Sequence, residues 1–322
     1  MRAMLRYLLL IGAVCLPGIA TAQNTWPTRP VQFIVPLAAG GTADGTARVL
    51  AEKLSEVWGQ RVYVENKAGG NTIPGTDAIA KAAPDGHTIG MGIIGSQAAN
   101  PFLFPKLPYN VEKDFSPILL IATSPIFLIV HPSVPANNLP AFIAHAKANP
   151  EKLSYASTGH GSSLHLAAEQ LIQRVGIKMQ HIPYRGMGAA MVDFLSGTVQ
   201  VAMDVSTMAQ VRDGKLKALG VASDKRFIGA PNVPSFAEQG LADFEATTWL
   251  SLHAPAGLPA DLQRRINADV NRVLAMPDVR ARMLTMSYVA NGGTPEQLTG
   301  FLAAERKKIG AIIQTAGIKV EQ

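Results

Sequence analysis

Two glycine-rich segments hold the residues best suited to chemistry. The first, Pro36–Asp44, reads Pro-Leu-Ala-Ala-Gly-Gly-Thr-Ala-Asp, with Leu37, Ala38 and Ala39 leading into Gly40, Gly41 and Thr42. It ends a β-branched run and opens a helical pattern. Adjacent glycines there let the backbone approach a ligand and align successive N–H groups. A helix N-terminus adds roughly half a positive charge, which favours carboxylates and phosphates. The second segment, Ser157-Thr158-Gly159-His160-Gly161-Ser162-Ser163, has the same strand-to-helix placement and adds hydroxyl donors. Together they predict two anion-binding donor clusters facing a shared cleft. Neither is a nucleotide loop, because no Gly-Lys-Ser/Thr follows and the G-x-G-x-x-G spacing is missing.

The same residues argue against catalysis. Gly159-His160-Gly161-Ser162 lacks the G-x-S-x-G order of a nucleophile elbow. His160 and His165 are five apart, a spacing that puts them on different sides of a helix, and no H-E-x-x-H occurs, so no metal site is expected. His181 lies in a strand-like run and reads as a structural histidine. The single cysteine, Cys15, falls within an export signal, so neither a thiol nucleophile nor a disulfide framework is expected in the exported chain. No cofactor is expected. Two other spots suit ligand contact: Tyr184-Arg185, an aromatic wall and a cation after a strand, and Asp204, at a strand end where open α/β sheets collect contacts. Asp44 reads first as an acid complementing the helix dipole.

The elements that must position these residues alternate between short β-branched runs and helical patterns, which predicts βα units around mostly parallel sheets. Val31–Val35, Arg61–Glu65 and Thr88–Ile94 read as strands. A helix over Thr42–Trp58 carries Ala43, Ala47, Leu50, Leu54 and Val57 on one face. The pattern restarts with strands at Phe127–Val130, Leu153–Ala156, Gln180–Pro183, Val199–Asp204 and Leu216–Ala222, and Asn138 caps a helix carrying Pro140. The last seventy or so residues turn helical, and Thr294-Pro295-Glu296-Gln297 forms a capping box. In that final helix, Glu305, Arg306, Lys307 and Lys308 are expected to face water.

At the N-terminus, Arg2 and Arg6 precede an apolar run too short to span a bilayer. Ala20-Thr21-Ala22 then predicts cleavage before Gln23, so residues 1–22 are an export signal and the chain is expected in the periplasm. The rest of the chain is long enough for two lobes of roughly 150 residues. The expected division is 23–123 with 248–322 as a discontinuous lobe one, and 124–247 as lobe two. The net charge of +6 is scattered, with no basic run interleaved with aromatics, so nucleic-acid binding is not expected.

Longer stretches bear a resemblance to a known family. 'VPLAAGGTADGTAR' (Val35–Arg48), 'YASTGHGSSLHLAAE' (Tyr155–Glu169), 'HIPYRG' (His181–Gly186), 'GKLKALGVASDKR' (Gly214–Arg226) and 'LHAPAGLPA' (Leu252–Ala260) resemble the Bug family. These are the extracytoplasmic receptors of tripartite tricarboxylate transporters. The resemblance implies a two-lobed α/β Venus-flytrap fold of the periplasmic-binding-protein type, type II-like, with a small carboxylate held between the lobes. It also implies a monomer working with membrane permease subunits; a sensor that presents its ligand to a signalling kinase is the alternative. Carried over, the ligand positions are Ala38–Thr42, Asp44, Ser96 and Gln97 on lobe one, and Ser157–Gly161, Tyr184 and Asp204 on lobe two; Leu37, Ser162 and Arg185 stand beside them. The chain departs from the family at Leu37, Ala39, Arg185 and Val205, where an aromatic, proline, lysine and asparagine are usual. These differences leave the identity of the acid open.

Overall fold

The computed structural model describes residues 26–319, so the export signal and its cleavage point before Gln23 lie outside the described residues. The chain opens with β1 (Val31–Val35), α1 (Thr42–Trp58), β2 (Val62–Asn66), α2 (Ile73–Ala80) and β3 (Thr88–Ile93). The stripe read on α1 is buried at Ala43, Ala47, Leu50 and Leu54, and Gly59 in the left-handed region ends the helix. Truncating Leu50 or Leu54 to alanine would cost about 2–5 kcal/mol. A π-turn at Gly95–Ala99 leads into the short α3 (Asn100–Leu103), and β4 (Phe115–Pro125) comes next.

The chain then leaves this group. It forms β5 (Phe127–Val130), α4 (Leu139–Ala148), β6 (Ser154–Ser157), α5 (Ser163–Val175), β7 (Gln180–Pro183), α6 (Met187–Ser196), β8 (Val201–Asp204), α7 (Met208–Arg212) and β9 (Lys217–Val221). Asn138 caps α4, accepting from Ala141 N–H. The return runs through β10 (Thr247–Pro255), α8 (Ala260–Ala275), α9 (Pro277–Thr285), β11 (Val289–Gly292) and α10 (Pro295–Ala316).

Two sheets result, a six-stranded one ordered β11-β4-β10-β3-β1-β2 and a five-stranded one ordered β7-β6-β8-β5-β9. The βα units are parallel, as expected: β1 with β2 and β3, and β6 with β7 and β8. Every pairing that involves β4, β5 or β10 is antiparallel, which corrects the expectation of mostly parallel sheets. The reason is topological. A parallel neighbour needs a crossover helix, whereas β4 and β10 carry the chain between sheets and meet their neighbours head to tail.

The six-stranded sheet packs α1, α8 and α9 over a core around Leu50, Ile89, Ile118 and Val270. Apolar clusters cover both faces of the five-stranded sheet. A further cluster joins Trp249, Leu298, Leu302 and Ile309 to Leu166 of α5, so α10 touches both halves. The capping box forms as read, Thr294 accepting from Gln297 N–H. Glu305 departs from its expected place on a solvated face: it is buried, and Trp249 Nε1 donates to its Oε2 at 2.8 Å. Neighbouring Arg306 is itself largely covered and reaches Glu112 at 3.6 Å.

Candidate functional site

The first glycine loop turns β1 into α1. Gly40 takes a φ of +87°, a left-handed conformation that glycine adopts without strain. Its N–H donates to Asp44 Oδ2 at 2.9 Å, and Arg48 Nε donates to the same oxygen at 3.0 Å. Burial works against the Asp44 charge, but the bonds from Arg48 and Gly40 outweigh it and hold the carboxyl below its usual range. Asp44 thus closes one donor of the loop and braces the turn. Gly41 is the N-cap of α1 and has no side chain to cap it, so the first-turn N–H groups stay open.

The second loop behaves differently. Gly159 N–H donates to Ser157 Oγ at 3.1 Å, Gly161 N–H to His165 Nδ1 at 3.0 Å, and Ser162 caps α5 by accepting from His165 N–H. These three donors are met by the protein's own side chains. A further helix start of this half is that of α6, whose N-cap Gly186 has no side-chain cap and sits beside Arg185. Two glycine-capped helix starts, one per sheet, therefore border the same space.

That space is a cavity of about 700 Å³. Its first wall contains residues 37–44 with Asn71, Thr72 and Ile93–Gly95; its second contains Thr158, His160, Ser162, residues 185–189, Met191 and Asp204–Ser206. Leu37–Thr42, Asp44, Thr158, His160, Ser162, Arg185 and Asp204 thus come together as the sequence suggested. Ser157, Gly159 and Gly161 sit behind that wall, as their hydrogen bonds require. Ser96 and Gln97 are buried in the π-turn, with the Ser96 hydroxyl bonded to Ile93 backbone. The Tyr184 hydroxyl donates to Asp193 Oδ2 at 2.7 Å.

Asp204 is buried at the end of β8, and its Oδ2 accepts from Ser206 N–H, Ser206 Oγ and Thr207 N–H. Burial pushes its pKa up, against the pull of those hydrogen bonds. Sequence reading missed Tyr288, Thr248 and Leu250, which line the cavity from the return strand and from just before β11. The Tyr288 hydroxyl, facing Thr42, Thr248 and Asp204, is pushed up to about 12 by burial.

The two walls also touch. Asn71 Nδ2 donates to His160 O at 3.1 Å, and Asn71 and Thr72 both hold positive φ, 50° and 69°. Gly161 holds a left-handed φ of +71°, which favours glycine, and a Cβ there would press on Leu103 Cδ1 and force that side chain to shift.

The histidines depart from their expected separation. Helix α5 begins only at Ser163, so His160 lies in the loop before it and folds back. The His165 and His181 rings stack at 3.9 Å, and His160 stands edge-on to both, at 5.5 Å and 4.9 Å. Tyr155 lies nearly parallel to both, its ring 4.9 Å from that of His181 and 6.2 Å from that of His165.

Residues 46–318 match the profile of the tripartite tricarboxylate transporter family receptor, TctC. The chain belongs to this family. As a TctC receptor it is 35% identical to protein BugT of Bordetella pertussis, over 99% of both chains. Among solved structures, Rpa4515 of R. palustris with adipate superposes with a TM-score of 0.88 at 29% identity, covering 92% of this chain and 100% of that one. MatC (Rpa3494) of Rhodopseudomonas palustris with bound malate superposes at 0.82 and 30% identity, covering 89% and 99%. The TctC receptor thus has the two-lobed α/β fold of periplasmic binding proteins. Among the described residues no helix is long and apolar enough to cross a membrane.

Proposed function

We propose that this TctC receptor captures a small carboxylate in the periplasm, between lobes 23–123 with 248–322 and 124–247, and delivers it to tripartite permease subunits. The observation that carries this reading is the pair of uncapped glycine helix starts, at Gly41 and Gly186, opening on one cavity. Their N–H groups and dipoles favour an anion that bridges the lobes. Ligand contacts to both walls stabilise the closed arrangement, because a ligand shifts an equilibrium by its differential affinity for the two states. The adipate and malate bound by its structural neighbours support an acid as the ligand.

Leu37, Ile93, Leu164, Met187, Met191 and Leu250 make much of the wall apolar, and Arg185 is the only lysine or arginine among the residues lining it. Each further buried carboxylate would need its own partner. Dicarboxylates, amino acids or aromatic acids with a hydrocarbon body therefore suit the cavity better than a tricarboxylate. Isothermal titration of the purified protein against adipate, malate, citrate, benzoate and acidic amino acids tests this. Saturable binding of at least one acid is expected, and no heat from any of them would refute the reading. Export is tested separately, by whether the secreted chain begins at Gln23 in intact-mass measurement.

A further inference from the structure

Three imidazoles meet at the edge of the cleft, on elements distant in sequence: His160 in the loop, His165 in the first turn of α5 and His181 on β7. One ring nitrogen from each lies within 4.8 Å of the others. His165 is nearly fully buried, while His160 reaches the cavity wall. Parallel pairing of β6 with β7 sets His181 against Tyr155, and the His165 and His181 rings lie parallel at 3.9 Å.

We propose that this cluster is a binding site for a divalent transition-metal ion of the Zn2+, Ni2+ or Cu2+ class, held by three imidazoles with an open side toward the cavity. Imidazole suits these ions, and a three-histidine set leaves coordination positions free. Metal ligation requires the unprotonated ring. Gly161 N–H donates to His165 Nδ1, so an ion held by that nitrogen must displace this bond. Ser157 Oγ, which also accepts from Gly159 N–H, stands 2.6 Å from His181 Nε2, so an ion on that nitrogen takes the place of this contact. With Zn–N bonds of about 2.0–2.1 Å, tetrahedral ligand atoms stand roughly 3.3 Å apart. The rings must therefore draw in: the parallel His165 and His181 rings cannot both hold one ion in their planes, so one of them must turn, and glycines with positive φ on both sides let His160 follow.

The test uses untagged full-length mature protein, dialysed against chelator and titrated with ZnCl2 alone by calorimetry. One ion per chain is expected, with His160→Ala weakening it by more than about tenfold and His145→Ala, on distant α4, leaving it unchanged. CoCl2 added to the unsubstituted protein is expected to give visible d–d bands of a nitrogen-ligated ion. That arm needs no variant. Absence of zinc heat at tens of micromolar, or zinc binding that persists in both His160→Ala and His181→Gln, would overturn the proposal. Because no carboxylate is present, the outcome is independent of the transport reading.

Discussion

Replacing Gly41 with aspartate should separate the stability of α1 from its use as an anion seat. Gly41 sits at φ −80° and ψ 169°, the extended conformation of an N-cap that any residue adopts, and a Cβ there meets no atom within 4 Å. The aspartate would supply the missing cap. Glycine is already tolerated at N-cap, so the direct gain is a few tenths of a kcal/mol, with about 0.3–1 kcal/mol more from a negative charge at the helix start. Binding should move the other way. A carboxylate ligand seated about 5 Å from the new charge meets a repulsion of about 3 kcal/mol at an effective dielectric of about 20. Loss of the open N–H groups adds about 1 kcal/mol. The sum corresponds to roughly a thousandfold weaker binding. Thermal melts of the ligand-free protein report the first effect, and titration with an acid the unsubstituted protein binds reports the second. A variant that melts at or above the original temperature yet binds the acid equally well would refute the assignment of α1 as a seat. One that melts several degrees lower would refute the cap geometry.

Other substitutions probe other parts. Arg185→Gln should weaken acid binding by about fivefold, the roughly 1 kcal/mol expected of an exposed charge pair, and should flatten its salt dependence; titration at two ionic strengths checks both. Glu305→Ala strands the buried Trp249 N–H and should cost about 1–3 kcal/mol in urea unfolding, whereas Glu305→Gln keeps an acceptor and should cost less. Acid should destabilise the fold well before the carboxylates titrate. Burial lowers His165 and His253 to about 3, so between pH 6.5 and that value the unfolded chain binds protons the native one refuses. Their stabilisation is complete above pH 6.5 and falls on acidification, each by up to about 1.4 kcal/mol per pH unit. A melting temperature that stays flat from pH 7 to 5 would contradict this.

The parts of the molecule legible in sequence are those set by local chemistry. The Gly-Gly turn after β1, the apolar stripe of α1, the Asn138 cap and the Thr294 capping box all arise from neighbouring residues. The parts that escaped depend on distant chain. Tyr288 and Thr248 reach the cavity only because β10 returns beside β4, and no local pattern announces that. The three histidines converge only once β6 pairs with β7 and α5 folds over them. The open donors of the second half were expected in the Ser157–Ser163 loop, where serine and histidine side chains take up those of Gly159, Gly161 and His165. A signal passed over was Gly186, a helix start with nothing to cap it. Glu305 was readable after all. It falls in the series Leu298, Leu302, Glu305, Ile309, Ile313, the buried face of α10, so its position rather than its charge foretold its burial.

Strands β4 and β10 stay paired to the point where both leave the larger sheet, Pro125 opposite Thr247, and Ile126 N–H continues the ladder to Ala246 O at 2.9 Å. The two connections are thus a single ribbon tied edge to edge. A ribbon of this kind flexes across its thin direction, while sliding its strands past one another would break the ladder. Relative movement is reduced to nearly one angle, so anything docking across both halves need gauge only that angle to tell a loaded receptor from an empty one.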